Sequence, residues 1–216
     1  MMNKLVIYGT GGLGRGILDL IEAINYAEDT WELIGFIDDD SSKNELVNNV
    51  PVLGGIEYLQ KIKHPINVVL AFGNPEVKKS ISYVLQKNKY ISFPNLIHPN
   101  VYIPKHISMG IGNIISQGVA LSANIKLGDF NLIHFNSSIG HDVTLNSYNS
   151  IYPLSAISGY VRIANQVIIG ANTSVIPSKN IGSKVTTGAG SVVIKDVEDD
   201  TTVVGVPARP VIKEQN

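Results

Sequence analysis

The chain has 216 residues, 44% of them hydrophobic, enough to bury a substantial core in one or two domains. Its seventeen basic and eighteen acidic residues leave it near neutrality, which gives no electrostatic case for nucleic acid. There is no cysteine, so disulfides, thiolate metal sites and a cysteine nucleophile are excluded.

Met-Met-Asn-Lys leads into a short apolar run, Leu5 to Tyr8, ended by Gly9, too short for a signal peptide or a membrane span, and a cytoplasmic location is expected. Residues 4–8 read as a buried strand. The turn Gly9-Thr10-Gly11-Gly12-Leu13-Gly14 follows, then a helical spacing over 15–26 with Ile17, Leu18, Leu20, Ile21 and Ile24 on one face. Strand, glycine turn and helix in this order turn backbone N–H groups toward a phosphate. A lone glycine pattern also arises where a strand and a helix merely pack closely. Here a second strand, 31–37, ends in Asp38-Asp39-Asp40, about where a carboxylate would reach a ribose hydroxyl. An extended piece over 50–55, a short helix over 56–63, a third buried strand over 67–72 ending in Gly73-Asn74-Pro75 and a helix over 76–88 complete the pattern. Alternating strands and helices predict a small parallel sheet with ligand at the strand C-termini. It ends near residue 95, half of a dinucleotide fold, which suits a mononucleotide or nucleotide sugar better than NAD.

Residues 93–114 form a proline-marked entry to the next domain without a flexible linker. Domains are therefore expected at 1–95 and 96–216. From Ile115 an aliphatic residue recurs every six positions: Leu121, Leu127, Ile133, Ile139, Leu145, Ile151, Ile157, Ile163, Ile169, Val175 and Ile181, then past Thr187 to Val193. A period of six is a multiple of two and has no simple relation to 3.6, so it predicts short strands with one side chain per hexad in a common interior. Two residues before each ladder position lies a second inward candidate, as at Val119, Ile125, Val143, Val161, Val167 and Val185, with Ser137, Ser155, Thr173 and Ser191 between them. Small or polar residues follow the ladder positions. The pattern fits a triangular prism and resembles the hexapeptide-repeat acyltransferases, whose left-handed parallel β-helix takes about eighteen residues per coil. The ladder supplies a little over four coils, with weaker hexads from about Val101 and a C-terminal cap over 194–216.

Between Val101 and Val193 the acidic residues are Asp129 and Asp142 and the histidines His106, His134 and His141. Asp142 directly follows His141. An imidazole can take a proton from an amine or hydroxyl near neutral pH, and an adjacent carboxylate orients it, so His141 is the candidate general base. Eighteen residues away on either side stand Gly159 and Ala123, small enough to leave room beside the ring.

The glycine loop, the Phe36-Ile37-Asp38-Asp39-Asp40 strand end, Gly140-His141-Asp142, Ser158-Gly159, Ile169-Gly170-Ala171, Gly188-Ala189-Gly190-Ser191-Val192-Val193 and Gly205-Val206-Pro207-Ala208-Arg209 are together similar to the sialic-acid O-acetyltransferase and nucleotide-aminosugar N-acetyltransferase family. The resemblance spans nearly the whole chain. It implies an α/β N-terminal half-Rossmann domain followed by a left-handed parallel β-helix, with acetyl-CoA as donor and no metal. The implied acceptor is a nucleotide-linked sugar, in particular a 4-amino-4,6-dideoxy sugar of cell-surface polysaccharide synthesis, or else a sialic acid. It also implies a homotrimer with active sites between adjacent prisms, and neither nucleic acid nor membrane as partner.

On the matching positions the resemblance makes His141 the base and Asp142 its helper. It gives the acceptor Gly11, Gly12, Leu13, Asp38, Asp39 and Gly73, and the donor Ser150, Gly159, Ala171 and Ala189. A backbone N–H near Gly159 would stabilise the oxyanion, and Lys184, Arg162 and Arg209 could meet CoA phosphates. There are three departures: Leu13 and Ser150 stand where members often carry histidine, and His134 where they often carry asparagine. Two other classes stay open: a non-catalytic trimeric scaffold, and a metal-dependent hydratase using three histidines, for which His106, His134 and His141 lack a recognisable ligand spacing.

Overall fold

The apolar runs at the start of the chain pair as a four-stranded parallel sheet, because strands buried on both faces need helices to cover them. In the computed structural model, which describes residues 2–40 and 45–211, the chain divides into units Met1–Pro99 and Asn100–Asn216. The first contains β1 (Asn3–Tyr8), α1 (Gly12–Ala27), β2 (Trp31–Ile37), a hairpin of β3 (Leu46–Val47) and β4 (Val50–Pro51), α2 (Ile56–Gln60), β5 (Ile66–Leu70), α3 (Pro75–Leu85), β6 (Ile91–Ser92) and β7 (Leu96–Ile97). The sheet order is β2-β1-β5-β6, every pairing parallel. Leu5, Val6, Ile7, Phe36, Ile37 and Val68 are wholly buried.

Helix α1 starts at Gly12, three residues before its apolar periodicity, since glycines carry no periodic signal. The helix can begin there because the turn is tight: Gly9 has φ +111°, and a Cβ on Gly14 would lie 1.9 Å from the Gly9 carbonyl oxygen. Helix α2 is shorter than its pattern suggested; the extended piece over 50–55 opens with β4, while its hairpin partner β3 and the strand β6 had no clear signal. Asn74 caps α3, its Oδ1 accepting from the N–H groups of Glu76 at 2.9 Å and Val77 at 3.3 Å.

The second unit is a three-faced β-helix, left-handed like its hexapeptide pattern. Its first face stacks Ser108–Met109, Lys126–Leu127, Thr144–Leu145, Arg162–Ile163 and Asn180–Ile181. The second stacks Ile114–Ile115, Leu132–Ile133, Ser150–Ile151, Ile168–Ile169 and Thr186–Thr187, and continues into Thr202–Val204 and Arg209–Pro210. The third stacks Ala120–Leu121, Ser138–Ile139, Ala156–Ile157, Ser174–Val175 and Val192–Val193. The strand pairs join residues eighteen apart until the coil tightens at Val197, which bridges Ile181, and at Thr202, which pairs with Thr186. The aliphatic ladder is buried except for the partly exposed Leu121. Thr187 keeps its place because its Oγ1 accepts from the Gly170 N–H at 2.9 Å and lies 3.2 Å from the Thr173 hydroxyl. Residues 212–216 of the expected cap lie outside the described residues.

Each corner is turned by one left-handed residue. Asn124, Phe130, Asn136, Asp142, Tyr148, Leu154, Tyr160, Gln166, Asn172, Ser178 and Lys184 all have φ between 55° and 65°, and Gly112, Gly118 and Gly190 continue the series. A left-handed non-glycine costs about 1–2 kcal/mol. Burying the hexad's aliphatic side chain returns about 1.5–3 kcal/mol. A corner hydrogen bond adds to this, such as Asp142 N–H to Ala123 C=O at 2.9 Å or Tyr160 N–H to His141 C=O at 2.9 Å. The corner is therefore sustained by the coil behind it.

Two outcomes follow for stability. Ile151→Ala removes a fully buried ladder side chain and should cost about 2–5 kcal/mol in denaturant unfolding. Lys78 of α3 is buried, and desolvation pushes its ammonium down to about 7. Between there and the ordinary lysine value near 10, the unfolded chain holds a proton that the folded chain does not. Stability should therefore rise with pH across that window, and Lys78→Met should flatten the rise when unfolding is measured from pH 7 upward.

Candidate active site

The candidate residues fall in four places. In the first unit, Gly11, Gly12 and Leu13 lie where β1 passes into α1, with the two glycines exposed. The Asp38 carboxylate reaches back to this turn, its Oδ2 accepting from the Thr10 hydroxyl and from the Thr10 N–H at 3.0 Å. Asp39 accepts from the Tyr8 hydroxyl and, at 2.7 Å, from the Ile56 N–H at the start of α2. Burial, followed by the neighbouring Asp39, holds the Tyr8 phenol far above its usual range, so it stays a proton donor to that carboxylate. Both acids thus brace the turns of the sheet's C-terminal edge. Gly73 follows β5 at that same edge. Arg15, within α1, donates from Nη1 to the Thr10 carbonyl at 3.0 Å and adds a further brace.

His141 stands at the corner from the third face to the first. Its Nδ1 lies 2.9 Å from Asp142 Oδ2, and its side chain is 52% exposed. Asp142 Oδ1 accepts from Asn124 Nδ2 at 3.1 Å. Hydrogen bonds from His141 and then Asn124 hold the Asp142 carboxyl below its usual value, so it remains ionised at neutral pH. A carboxylate on Nδ1 fixes the imidazole with its lone pair on Nε2. That edge lies over Gly159, where a Cβ would come within 2.6 Å of both Cε1 and Nε2. The Tyr160 ring meets the imidazole edge-on, with centroids 4.9 Å apart at 88°. Asn124 and Tyr160 escaped the sequence reading, although each lies eighteen residues from Asp142, the spacing that had already singled out Gly159 and Ala123.

The corners differ in what becomes of their outward N–H groups. Between the first and second faces, the side chain one coil ahead caps the amide: Asp129 Oδ1 for Ile111 at 2.9 Å, Ser147 Oγ for Asp129 at 3.0 Å, and Asn165 Oδ1 for Ser147 at 3.0 Å. Asp199 does the same for Ser183 at 2.7 Å. The equivalent amides of Gly159, beside His141, and of Ala171 and Ala189, on the corner from second to third face, have no partner among the described residues. The residue one coil ahead is Pro177 for Gly159 and Ala189 for Ala171, and neither side chain carries a hydrogen-bond acceptor.

Ser150 lies apart from both corners, wholly buried on the second face. His134 starts the corner from second to third face rather than sharing His141's. Its Nδ1 accepts from the Phe135 N–H at 3.0 Å, and burial lowers its proton affinity, so it is a neutral ring presenting Nε2–H. No three His, Asp or Glu side chains are gathered into a cation-holding group among the described residues, and His106, His134 and His141 stay separate. No helix among those residues is long and apolar enough to cross a membrane.

Residues 4–85 match the family model of the PglD N-terminal domain. Across 99% of both chains the structure is similar to a variant of perosamine N-acetyltransferase from Caulobacter crescentus, in complex with CoA and GDP-perosamine, at 26% identity and a TM-score of 0.88. The acetyltransferase domain of PglB from Neisseria gonorrhoeae, in complex with acetyl coenzyme A, is 27% identical with a TM-score of 0.89, over 98% of this chain and all 100% of that one. WeeI from Acinetobacter baumannii is 26% identical with a TM-score of 0.85, over 98% of this chain and 100% of its own. Among curated relatives, serine acetyltransferase of Synechococcus elongatus is 47% identical over 51 residues, 24% of this chain and 21% of the relative. The chain thus matches about a fifth of that enzyme's length.

If the ring rests on Gly159 as described, Gly159→Ala must displace it. The variant should unfold within about 1 kcal/mol of the parent, because the ring lies at the surface and can swing aside. The imidazole proton resonances of His141 should nevertheless shift in a histidine NMR spectrum.

Proposed function

We propose that this chain, a member of the left-handed β-helix sugar acetyltransferases, moves an acetyl group from acetyl-CoA to the amine of a nucleotide-linked 4-amino-4,6-dideoxy sugar. The observation that carries the reading is the 2.9 Å tie of His141 Nδ1 to Asp142, which leaves Nε2 as a base over a residue without a side chain. The complexes formed by the similar structures supply the substrate classes: CoA with GDP-perosamine in one, acetyl coenzyme A in another.

In this reading, the glycine turn and the N-terminus of α1 hold the phosphates of the acceptor, which the exposed Gly11 and Gly12 let approach closely. Acetyl-CoA supplies an activated acyl carbon. His141 Nε2 takes the proton from the attacking amine as the new C–N bond forms, and Asp142 stabilises the resulting imidazolium while holding the ring in place; the C–S bond then breaks, and the imidazolium returns the proton to the departing CoA thiolate. The Gly159 N–H donates to the acetyl oxygen as negative charge develops there. Ala171 and Ala189 offer two further amides one coil apart, a step of about 4.8 Å, to the carbonyl acceptors of an extended donor. Ser150, closed off within the second face, has no part in this assignment.

The same placement supports a homotrimer. Gly159 and His141 occupy one edge of the prism and Ala171 and Ala189 another, with the third face between them. One donor meets both sets when a second copy brings its amide edge to the histidine edge of the first.

His141→Ala should lower kcat by about a hundred- to ten-thousandfold with GDP-, UDP- or dTDP-linked 4-amino sugars, the scale of a lost general base. Undiminished turnover would remove the assignment. Acetyl-CoA should also raise the melting temperature of the parent protein, by an amount that grows with its concentration; a non-catalytic scaffold would show no shift.

A further inference from the structure

The catalytic couple of the proposed reaction is a surface couple. The side chains of His141 and Asp142 are 52% and 34% exposed. A carboxylate this open to water does not by itself hold a neighbouring ring in one orientation, because solvent competes for both its oxygens and exposed pairs are weak. The arrangement has a third member one coil earlier. Asn124 stands eighteen residues before Asp142 in the same corner column, both residues left-handed, with φ of 58° each. Its Nδ2 donates to Asp142 Oδ1 at 3.1 Å, leaving Oδ2 for the imidazole at 2.9 Å.

We infer that Asn124 is a positioning residue for the base: it ties down the far oxygen of Asp142, so that the near oxygen stays on His141 Nδ1 and Nε2 stays over Gly159. The inference rests on the reading of His141 as base. The corner column completes the cradle. The Asp142 N–H is fixed to the Ala123 carbonyl at 2.9 Å, and the Tyr160 N–H to the His141 carbonyl at 2.9 Å. The Tyr160 ring packs edge-on against the imidazole. Tied to Asp142 and packed against Tyr160, the ring has no need of burial to keep one orientation. Burial would in any case disfavour the charged imidazolium that the reaction must form.

Two substitutions compatible with the left-handed corner test this without straining it, Asn124→Gly and Asn124→Asp. Asn124→Gly deletes the amide and should lower kcat about three- to tenfold, the scale of one hydrogen bond, while the KM for acetyl-CoA stays unchanged. Asn124→Asp places a second carboxylate beside the first. It should move the acid limb of kcat/KM, and the midpoint of the His141 imidazole titration followed by NMR, to higher pH. Parental kcat in the glycine variant together with an unmoved midpoint in the aspartate variant overturns the inference. The NMR titration needs no turnover, so it also separates the two claims. A fully active His141→Ala removes the base assignment. A His141→Ala that is inactive beside Asn124 variants that behave like the parent removes only the role of Asn124.

Discussion

The eighteen-residue register of the β-helix is the constraint on which the rest depends. It is enforced twice per hexad, by a buried aliphatic side chain and by a left-handed corner residue whose N–H reaches the coil before it. Neither device is sufficient alone. Phenylalanine, tyrosine, leucine and lysine do not adopt φ near +60° unless something holds them there, and a two-residue strand has almost no stability by itself. Repeated around a three-sided column, each supplies what the other lacks. The same register builds polar ladders inside the column. The Oδ1 of Asn113 accepts from the Asn131 N–H, that of Asn131 from the Asn149 N–H, and that of Asn149 from the Val167 N–H, at 2.9, 2.9 and 2.7 Å.

Function enters where the repetition is broken chemically and kept geometrically. One edge of the prism caps four of its outward amides, with Asp129, Ser147, Asn165 and Asp199; the other two carry Gly159, Ala171 and Ala189, whose amides are open among the described residues. A peptide N–H without a partner is a fixed donor, and because it belongs to a rigid corner it requires no reorganisation to act. The choice between a short polar side chain and one without an acceptor at a single hexad position thus decides which amides stay free to bind. His141 and Asp142 sit on an open edge, where the imidazole is both accessible and aimed.

Much of this was legible in the residues. The spacing from Ile115 to Val193 specified the interior, and the order of strand, glycine turn and helix specified three of the four strands of the first sheet, with β2 found at Trp31–Ile37. The His141–Asp142 couple was legible because acidic residues and histidines are so scarce in the coil. Other features were hidden for physical reasons. The left-handed corners carry asparagine, aromatic and aliphatic residues alike, since the coil overrides local preference. Asn124 and Tyr160 become partners only once residues eighteen apart are read as columns. Asp38 and Asp39 end a strand where a ribose contact is plausible, yet the sequence could not show that Thr10, Tyr8 and Ile56 would engage their oxygens. The burial of Ser150 depends on which face it occupies, and the ladder alone does not reveal that.

The fixed corner spacing also makes the column a measuring device. Each coil advances the chain by the separation of neighbouring strands, about 4.8 Å, so residue number divided by eighteen is a coordinate along the axis. Any group at the equivalent position on the His141 edge sits at a whole number of graduations from it. A ligand stretched along that edge is gauged for length, and evolution can lengthen or shorten the scale one coil at a time without disturbing the graduation at which the imidazole stands.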